Sequence, residues 1–149
     1  MKKVCLMVIG LLSLSYTYSQ STDYKNTQTV SQFLAGFNDP SKIQESLSLL
    51  ATDYHFQNPM VELHSKAEFI ALAQEIGKVL TGVEIIRIAA QGEWVAASYI
   101  FKSSIPGVES NLATEWFRLE DGMIQESQLI YDASEWRKVY EQMNEQQTN

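Results

Sequence analysis

The stretch Tyr54-His55-Phe56-Gln57-Asn58-Pro59 decides the reading of this 149-residue chain. Side chains alternate across a strand, so Tyr54, Phe56 and Asn58 share one face while Asp53, His55 and Gln57 share the other. Pro59 ends the run. The first face reads aromatic, aromatic, amide. A purely structural face would close on another apolar residue, so the pattern predicts a strand that lines a pocket.

Upstream, Val30, Phe33, Leu34 and Phe37 recur at i, i+3, i+4 and i+7, the stripe of an amphipathic helix. Asn38-Asp39-Pro40 breaks it, and Ser41 is placed to cap a second helix carrying Ile43, Leu47 and Leu50. Residues 60–64 read as an irregular connection. Ser65-Lys66-Ala67-Glu68 is a capping box, opening a helix with Phe69, Ile70, Ala73, Ile76 and Leu80 on one side, closed by Thr81-Gly82. Beyond Gly82 the hydrophobic period becomes two. Strands are predicted over 83–90, 93–104, 111–119 and 123–132, joined by turns at Gln91-Gly92, Pro106-Gly107 and Glu120-Asp121-Gly122. Trp136, Val139, Tyr140 and Met143 stripe a terminal helix. Helices first and meandering strands afterwards give an α+β domain, with three N-terminal helices on one face of a curved antiparallel sheet and a C-terminal helix.

The N-terminus reads differently. Lys2-Lys3, an apolar run over 4–14 and a small, polar stretch over 15–20 have the layout of a secretory signal peptide, cut after Ser19. Cys5 lies too early for lipid attachment. Residues 1–19 are therefore expected to be removed, leaving 20–149 as one domain with its core over about 28–143 and a loose leader over 20–27. The product is expected to be exported, periplasmic or secreted. Without Lys2 and Lys3, nine basic residues face 18 acidic ones, a formal charge of −9, and no cysteine is left. Stability then rests on a packed core, not on disulfides. The acidic balance, with no basic cluster after Lys3, argues against nucleic-acid and membrane partners.

The element order, together with Phe56-Gln57-Asn58-Pro59, the Ser65 helix start, the Asp121-Gly122 hairpin followed by Ile124, and Tyr131-Asp132 closing the last strand, resembles the SnoaL-like branch of the NTF2-like superfamily over roughly 28–143. The resemblance implies a sheet wrapped as a cone around a cavity, closed by helices. It includes polyketide cyclases, ketosteroid isomerases, dehydratases and limonene epoxide hydrolases, so it implies a pocket without implying one reaction. The positions matching Asn58 and Asp132 are catalytic in the hydrolases. Their Arg and second Asp, however, fall at Tyr99 and Phe101 here, and Phe56 replaces their Tyr, which argues against epoxide opening.

Strand parity then assigns the cavity. With Phe56 and Asn58 inward, Ala97, Tyr99 and Phe101, then Glu115, Phe117 and Leu119, then Glu126, Gln128, Ile130 and Asp132 are expected to face in, and a one-residue slip inverts any of these sets. Tyr54, Phe56, Asn58, His64, Tyr99, Phe101, Phe117 and Gln128 are the expected ligand-binding residues, the mixture that suits a small, largely apolar molecule. Asp132 and Glu115 are the candidate general acids or bases. Asp132 reads equally as the cap of the terminal helix, and Glu115 as a rim residue, solvated or paired with Arg87. His64, near the expected cavity mouth, is a candidate proton shuttle, whereas His55 should point away. No metal is expected, because the two histidines show no ligand spacing. No cofactor is expected either, there being no GxSxG, P-loop or dinucleotide fingerprint.

The opposite sheet face is expected to carry Trp94, Ile100, Trp116, Leu129 and Tyr131, an apolar surface that predicts a homodimer, unless the terminal helix covers it through Trp136 and Tyr140. Three functions follow: binding of a small apolar molecule, an isomerase, cyclase or lyase using Asp132 or Glu115 as base with Tyr99 or Asn58 donating to an oxyanion, or a protein-interaction module acting through the outer face.

Overall fold

The structure, a computed structural model, describes residues 20–147. The expected signal peptide lies outside the described residues. A first helix, α1 (residues 20–35), runs into a single 3₁₀ turn, Gly36–Asn38. There follow α2 (Ile43–Ser48), β1 (Leu50–Gln57), β2 (Glu62–Leu63), α3 (Lys66–Ile76), β3 (Leu80–Gln91), β4 (Trp94–Ser103), β5 (Ser110–Glu120), β6 (Met123–Tyr131) and α4 (Ser134–Gln147). The six strands form one sheet in the order β2-β1-β6-β5-β4-β3. All neighbours are antiparallel except β1 and β6, which run parallel. The α+β architecture is as expected; the sheet is mixed rather than antiparallel, because β1 reaches β6 only after the helical crossover and the whole meander.

Several boundaries differ from the sequence reading, each for a local reason. Residues 20–27 are helical, not a loose leader: Asn26 is buried and its Nδ2 donates to the Gly92 carbonyl at 2.8 Å, while Asp23 Oδ1 accepts from Gly92 N at 2.7 Å. These two bonds dock α1 on the β3–β4 turn. Asp39, not Ser41, organises the start of α2, its Oδ1 accepting from Ser41 N and Oγ at 2.9 and 2.7 Å. Helix α3 stops at Ile76, so Leu80 belongs to β3 rather than to the helix. The expected capping box is present: Glu68 N donates to Ser65 Oγ at 3.3 Å, and Glu68 Oε2 accepts from Ser65 Oγ and His64 N at 3.0 and 2.8 Å. Those two bonds hold the exposed Glu68 carboxyl below its ordinary pKa.

Two of the sheet's register shifts bear on which side chains face the helices. On β3, Ile85 pairs with Tyr99 and Arg87 with Ser98, leaving Ile86 as an extra residue. On β6, Leu119 pairs with Ile124 and Arg118 with Glu126, leaving Gln125 extra. Bulges of this kind bend and twist a strand, and each switches the side-chain parity beyond it. Accordingly Val83 and Ile85 face the helices before the first bulge, and Ile88 and Ala90 after it. The helices close the concave side. Phe33 of α1 packs against Phe117 and Phe69 with ring centroids 6.0 and 6.1 Å away, and Phe69 of α3 meets Tyr54 and Phe56 at 5.2 and 5.0 Å. Tyr54, Phe117, Val30, Leu50, Val95 and Ile124 are fully buried there. The Asp121-Gly122 hairpin has positive φ at both residues, 50° and 79°, as a two-residue type I′ turn requires.

Gly36 is fixed by packing. A Cβ placed on it would overlap both Oγ and Cβ of Ser46, a buried residue whose hydroxyl donates to the Gln32 carbonyl at 3.1 Å. The hydroxyl could turn aside at the cost of its bond to Gln32, but Cβ is fixed by the backbone and cannot. Gly36→Ala is expected to destabilise the domain by about 1–3 kcal/mol, the usual cost of overpacking a close contact, measurable by urea denaturation. Equal or higher stability in the variant would show that the 3₁₀ turn and α2 are not in close contact at this point.

Candidate functional site

The concave face of the sheet and helices α1, α3 and α4 enclose a cavity of ≈ 470 Å³. Its wall is aromatic and aliphatic: Phe33 and Phe37 from the α1 end, Phe56 from β1, Phe69, Leu72 and Ile76 from α3, Phe101 from β4, Leu129 and Tyr131 from β6. Polar side chains are fewer: Asn58, Ser103, Glu115 and the tyrosines Tyr99, Tyr131 and Tyr140. At the mouth, Trp136 and Tyr140 of α4 complete the lining. Trp136 is held by its indole N–H donating to Asn111 Oδ1 at 3.0 Å, and its ring lies 5.9 Å from that of Phe101. Arg137 Nη2 donates to the Pro59 carbonyl at 2.9 Å, tying α4 to the loop after β1. Helix α4 thus borders the cavity; it does not cover the outer sheet face.

Glu115 is the chemical centre of this space. It is buried, with only 3 % of its surface exposed. Its Oε2 accepts from the Tyr99 hydroxyl at 2.7 Å and its Oε1 from the Ser127 hydroxyl at 2.6 Å. Ser127 Oγ is also 2.6 Å from the Tyr54 hydroxyl. Since Ser127 has one proton and gives it to Glu115, Tyr54 must donate to Ser127. The chain Tyr54–Ser127–Glu115–Tyr99 therefore directs every hydroxyl proton toward the carboxylate. Burial raises the Glu115 pKa, and the Ser127 and Tyr99 hydrogen bonds oppose that rise only in part, leaving it at about 7. Tyr54 and Tyr99 are pushed well above the ordinary phenol value, first by burial and then by the Glu115 charge, so both stay protonated as donors. Among the described residues no buried side-chain polar atom lacks a hydrogen-bond partner.

The inward placement of Tyr54, Phe56, Asn58, Tyr99, Phe101, Glu115 and Phe117 follows the sequence parity. Tyr54 and Phe117 lie in the core beneath the cavity. Glu115 is neither at a rim nor beside Arg87, which is exposed. Asn58 Oδ1 accepts from Met60 N and Val61 N, both at 2.8 Å, shaping the loop after β1. Its Nδ2 has no hydrogen-bond partner among the described residues, so what it can offer a ligand is a donor.

The last strand corrects the sequence reading. Glu115 pairs with Leu129, Phe117 with Ser127 and Ala113 with Tyr131. Directly paired residues share a face, so Ser127, Leu129 and Tyr131 face in, while Glu126, Gln128 and Ile130 face out with Trp94 and Trp116. The extra residue at Gln125 causes this, because Ile124 before it is buried on the inner side. Gln128 is thus no cavity residue, and Leu129 and Tyr131 do not belong to the outer apolar face. Asp132 lies outside the cavity as well. It is exposed, and its Oδ1 accepts from Ser134 N and Oγ at 3.0 and 2.7 Å, the turn that starts α4. Those bonds hold its pKa below the ordinary value. His64 also points away from the cavity, exposed and stacked on His55 with centroids 5.1 Å apart.

Residues 30–127 match the family model of the SnoaL-like domain. No curated protein sequence matches the chain. Among solved structures, a "putative polyketide cyclase" from Xanthomonas campestris superposes with TM-score 0.65 at 20 % identity, covering 77 % of this chain and 96 % of that one. A "putative ketosteroid isomerase" from Kribbella flavida gives 0.64 at 17 %, covering 73 % and 78 %. An epoxide hydrolase of the LEH-like type from M. tuberculosis gives 0.65 at 18 %, covering 78 % and 89 %. At these identities the likeness is one of fold.

A carboxyl with pKa raised from 4.5 to about 7 makes stability depend on pH. Below pH 4.5 the group is protonated in both the folded and unfolded chain. Between pH 4.5 and 7 the unfolded chain ionises while the folded one resists, so stability falls with rising pH by about 3 kcal/mol in all and then levels off. Glu115→Gln removes this term, since either hydroxyl neighbour can turn to accept from the amide. Thermal melts from pH 5 to 8 should show the wild type losing ground to the variant as pH rises; parallel curves would refute the burial of an ionisable carboxyl here.

Proposed function

The chain belongs to the SnoaL-like family, and from that premise we propose that its cavity binds a small, largely apolar molecule bearing a carbonyl-type group and that Glu115 exchanges a proton with it. The observation that carries this reading is the position of one carboxyl, poised near neutrality, in the wall of an otherwise apolar space. A volume of ≈ 470 Å³ falls inside the range of about 300–1,000 Å³ usual for small-molecule sites. A general base works best with a pKa near the ambient pH, and Glu115 meets that condition while Asp132, exposed and acidified, does not. Asn58 Nδ2 is a donor available to a developing oxyanion. The Tyr99 hydroxyl, already committed to Glu115, acts instead by orienting the base. Names of an isomerase and a cyclase among the similar folds are in keeping with proton transfer beside a carbonyl.

The test begins with a thermal-shift screen of sterol-like, terpenoid and aromatic ketones, followed by proton–deuterium exchange of each hit in D₂O, monitored by NMR. Glu115→Gln should keep binding within a few-fold while slowing exchange by about 10²–10⁴, the usual contribution of a positioned general base. Exchange that persists at the wild-type rate in this variant would sink the catalytic part of the reading; absence of any hit would sink the binding part.

A second reading concerns the outer sheet face. Leu112, Ile130, Trp116 and Trp94 are 65, 50, 45 and 42 % exposed there, with Ile100 between the strands' outward positions. We propose that two copies meet through this face, since clustered exposed aromatics are unusual on a solitary surface. Light scattering coupled to gel filtration should give a dimer mass for the wild type and a monomer for Trp116→Arg with an unchanged melting profile at high dilution. A monomeric wild type would remove the dimer.

A further inference from the structure

We infer that His55, Glu62 and His64 form a binding site for a divalent first-row transition-metal ion on the outer face of the β1–β2 edge. The sequence shows no ligand spacing, because the three residues come together only through strand pairing. Phe56 pairs with Leu63 and Gln57 with Glu62 in the antiparallel β1–β2 ladder. The next step of that register sets His55 opposite His64, and Glu62 lies two residues from His64 on the same side. Cross-strand neighbours have Cβ atoms about 4.5–5.5 Å apart, and diagonal neighbours remain within reach of long side chains. The outcome is a two-imidazole, one-carboxylate cluster whose ligand atoms all lie within 4.8 Å of one another.

The donor set suits such an ion. Imidazole favours zinc, copper, nickel and cobalt over calcium and magnesium, and the carboxylate supplies charge. Zinc holds nitrogen and oxygen donors at about 2.0–2.2 Å, so donors around one ion stand roughly 3.5 Å apart. His55 Nε2 and Glu62 Oε1 are already 3.0 Å apart. The two rings lie nearly parallel, at 19°, and closing the third position takes a side-chain rotation of the exposed His64. Glu68, whose carboxylate accepts from His64 N, adds negative charge at the same corner. Three protein ligands leave at least one position for water. The site stands on the opposite side of β1 from the cavity, which excludes it from the chemistry of Glu115. It fastens the edge strand β2 to β1 at the root of the loop that contributes Met60 and Val61 to the cavity wall.

The chain contains two histidines in all, so the experiment has little background. Untagged protein titrated with zinc chloride in a calorimeter should bind one ion per chain, and ¹⁵N-detected imidazole spectra should show both rings shifting together. His55→Ala and His64→Ala should each weaken binding at least tenfold, while their melting temperatures without zinc stay near that of the wild type, as expected for side chains that carry no core packing. No measurable heat, a response from one ring only, or unchanged zinc affinity in His64→Ala would each overturn the assignment.

Discussion

The parallel pairing of β1 with β6 is the constraint on which the rest depends. It sets Phe56 beside Ser127, so that Tyr54, two residues back on the same face, reaches the Ser127 hydroxyl at 2.6 Å. Antiparallel pairing of β6 with β5 puts Phe117 opposite Ser127 and Leu129 opposite Glu115, which brings the same hydroxyl to 2.6 Å from the Glu115 carboxylate. One serine thus joins the strand that follows the first helices to the meander that follows the third. A slip of one residue in either ladder would turn Ser127 outward and leave Glu115 and Tyr54 without it.

Burying a carboxylate among aromatics is costly, and the magnitudes decide what the site can be. Without hydrogen bonds to Glu115, desolvation alone would act and the proton would stay on. Two hydroxyl donors recover part of the penalty and bring the pKa back to about 7. The balance leaves a group that changes its protonation state with little free energy near neutral pH, which is the property proton transfer needs. An ion pair would have erased that balance by holding the carboxylate permanently ionised. Arg87 and Arg118 both lie away from it, the latter engaged with Glu120 and Glu126.

Much of this was legible from residues alone, and the failures are specific. The period of the helices, the capping box at Ser65 and the Asp121-Gly122 turn are local signals, and local signals survive folding. The inward faces of β1, β4 and β5 were legible because each strand alternates without interruption through its site residues. Strand β6 was not, because the bulge at Gln125 shifts parity by one, and polar residues stand on both faces around it: Gln125, Glu126, Ser127 and Gln128. Counting by twos from Ile124 puts Glu126, Gln128 and the apolar Ile130 inward, so only the odd-numbered Leu129 and Tyr131 hint at the change of phase, and Ile130 masks it. Asp132 was ambiguous for a different reason. A carboxylate at a strand–helix junction satisfies both a cavity pattern and a cap pattern, and in the folded chain the Ser134 amide and hydroxyl engage it.

Strand β1 divides the molecule's chemistry between its two faces. Inward, Tyr54 packs in the core and Phe56 lines the cavity; outward, His55 stacks on His64 and bonds Glu62. The loop that follows couples the two sides, since Asn58 Oδ1 holds Met60 N and Val61 N, and the Pro59 carbonyl accepts Arg137 of α4. The β1–β2 edge therefore runs directly into a loop that forms cavity wall and bonds the helix at its mouth. One strand of eight residues carries both surfaces, and alternation alone keeps them apart.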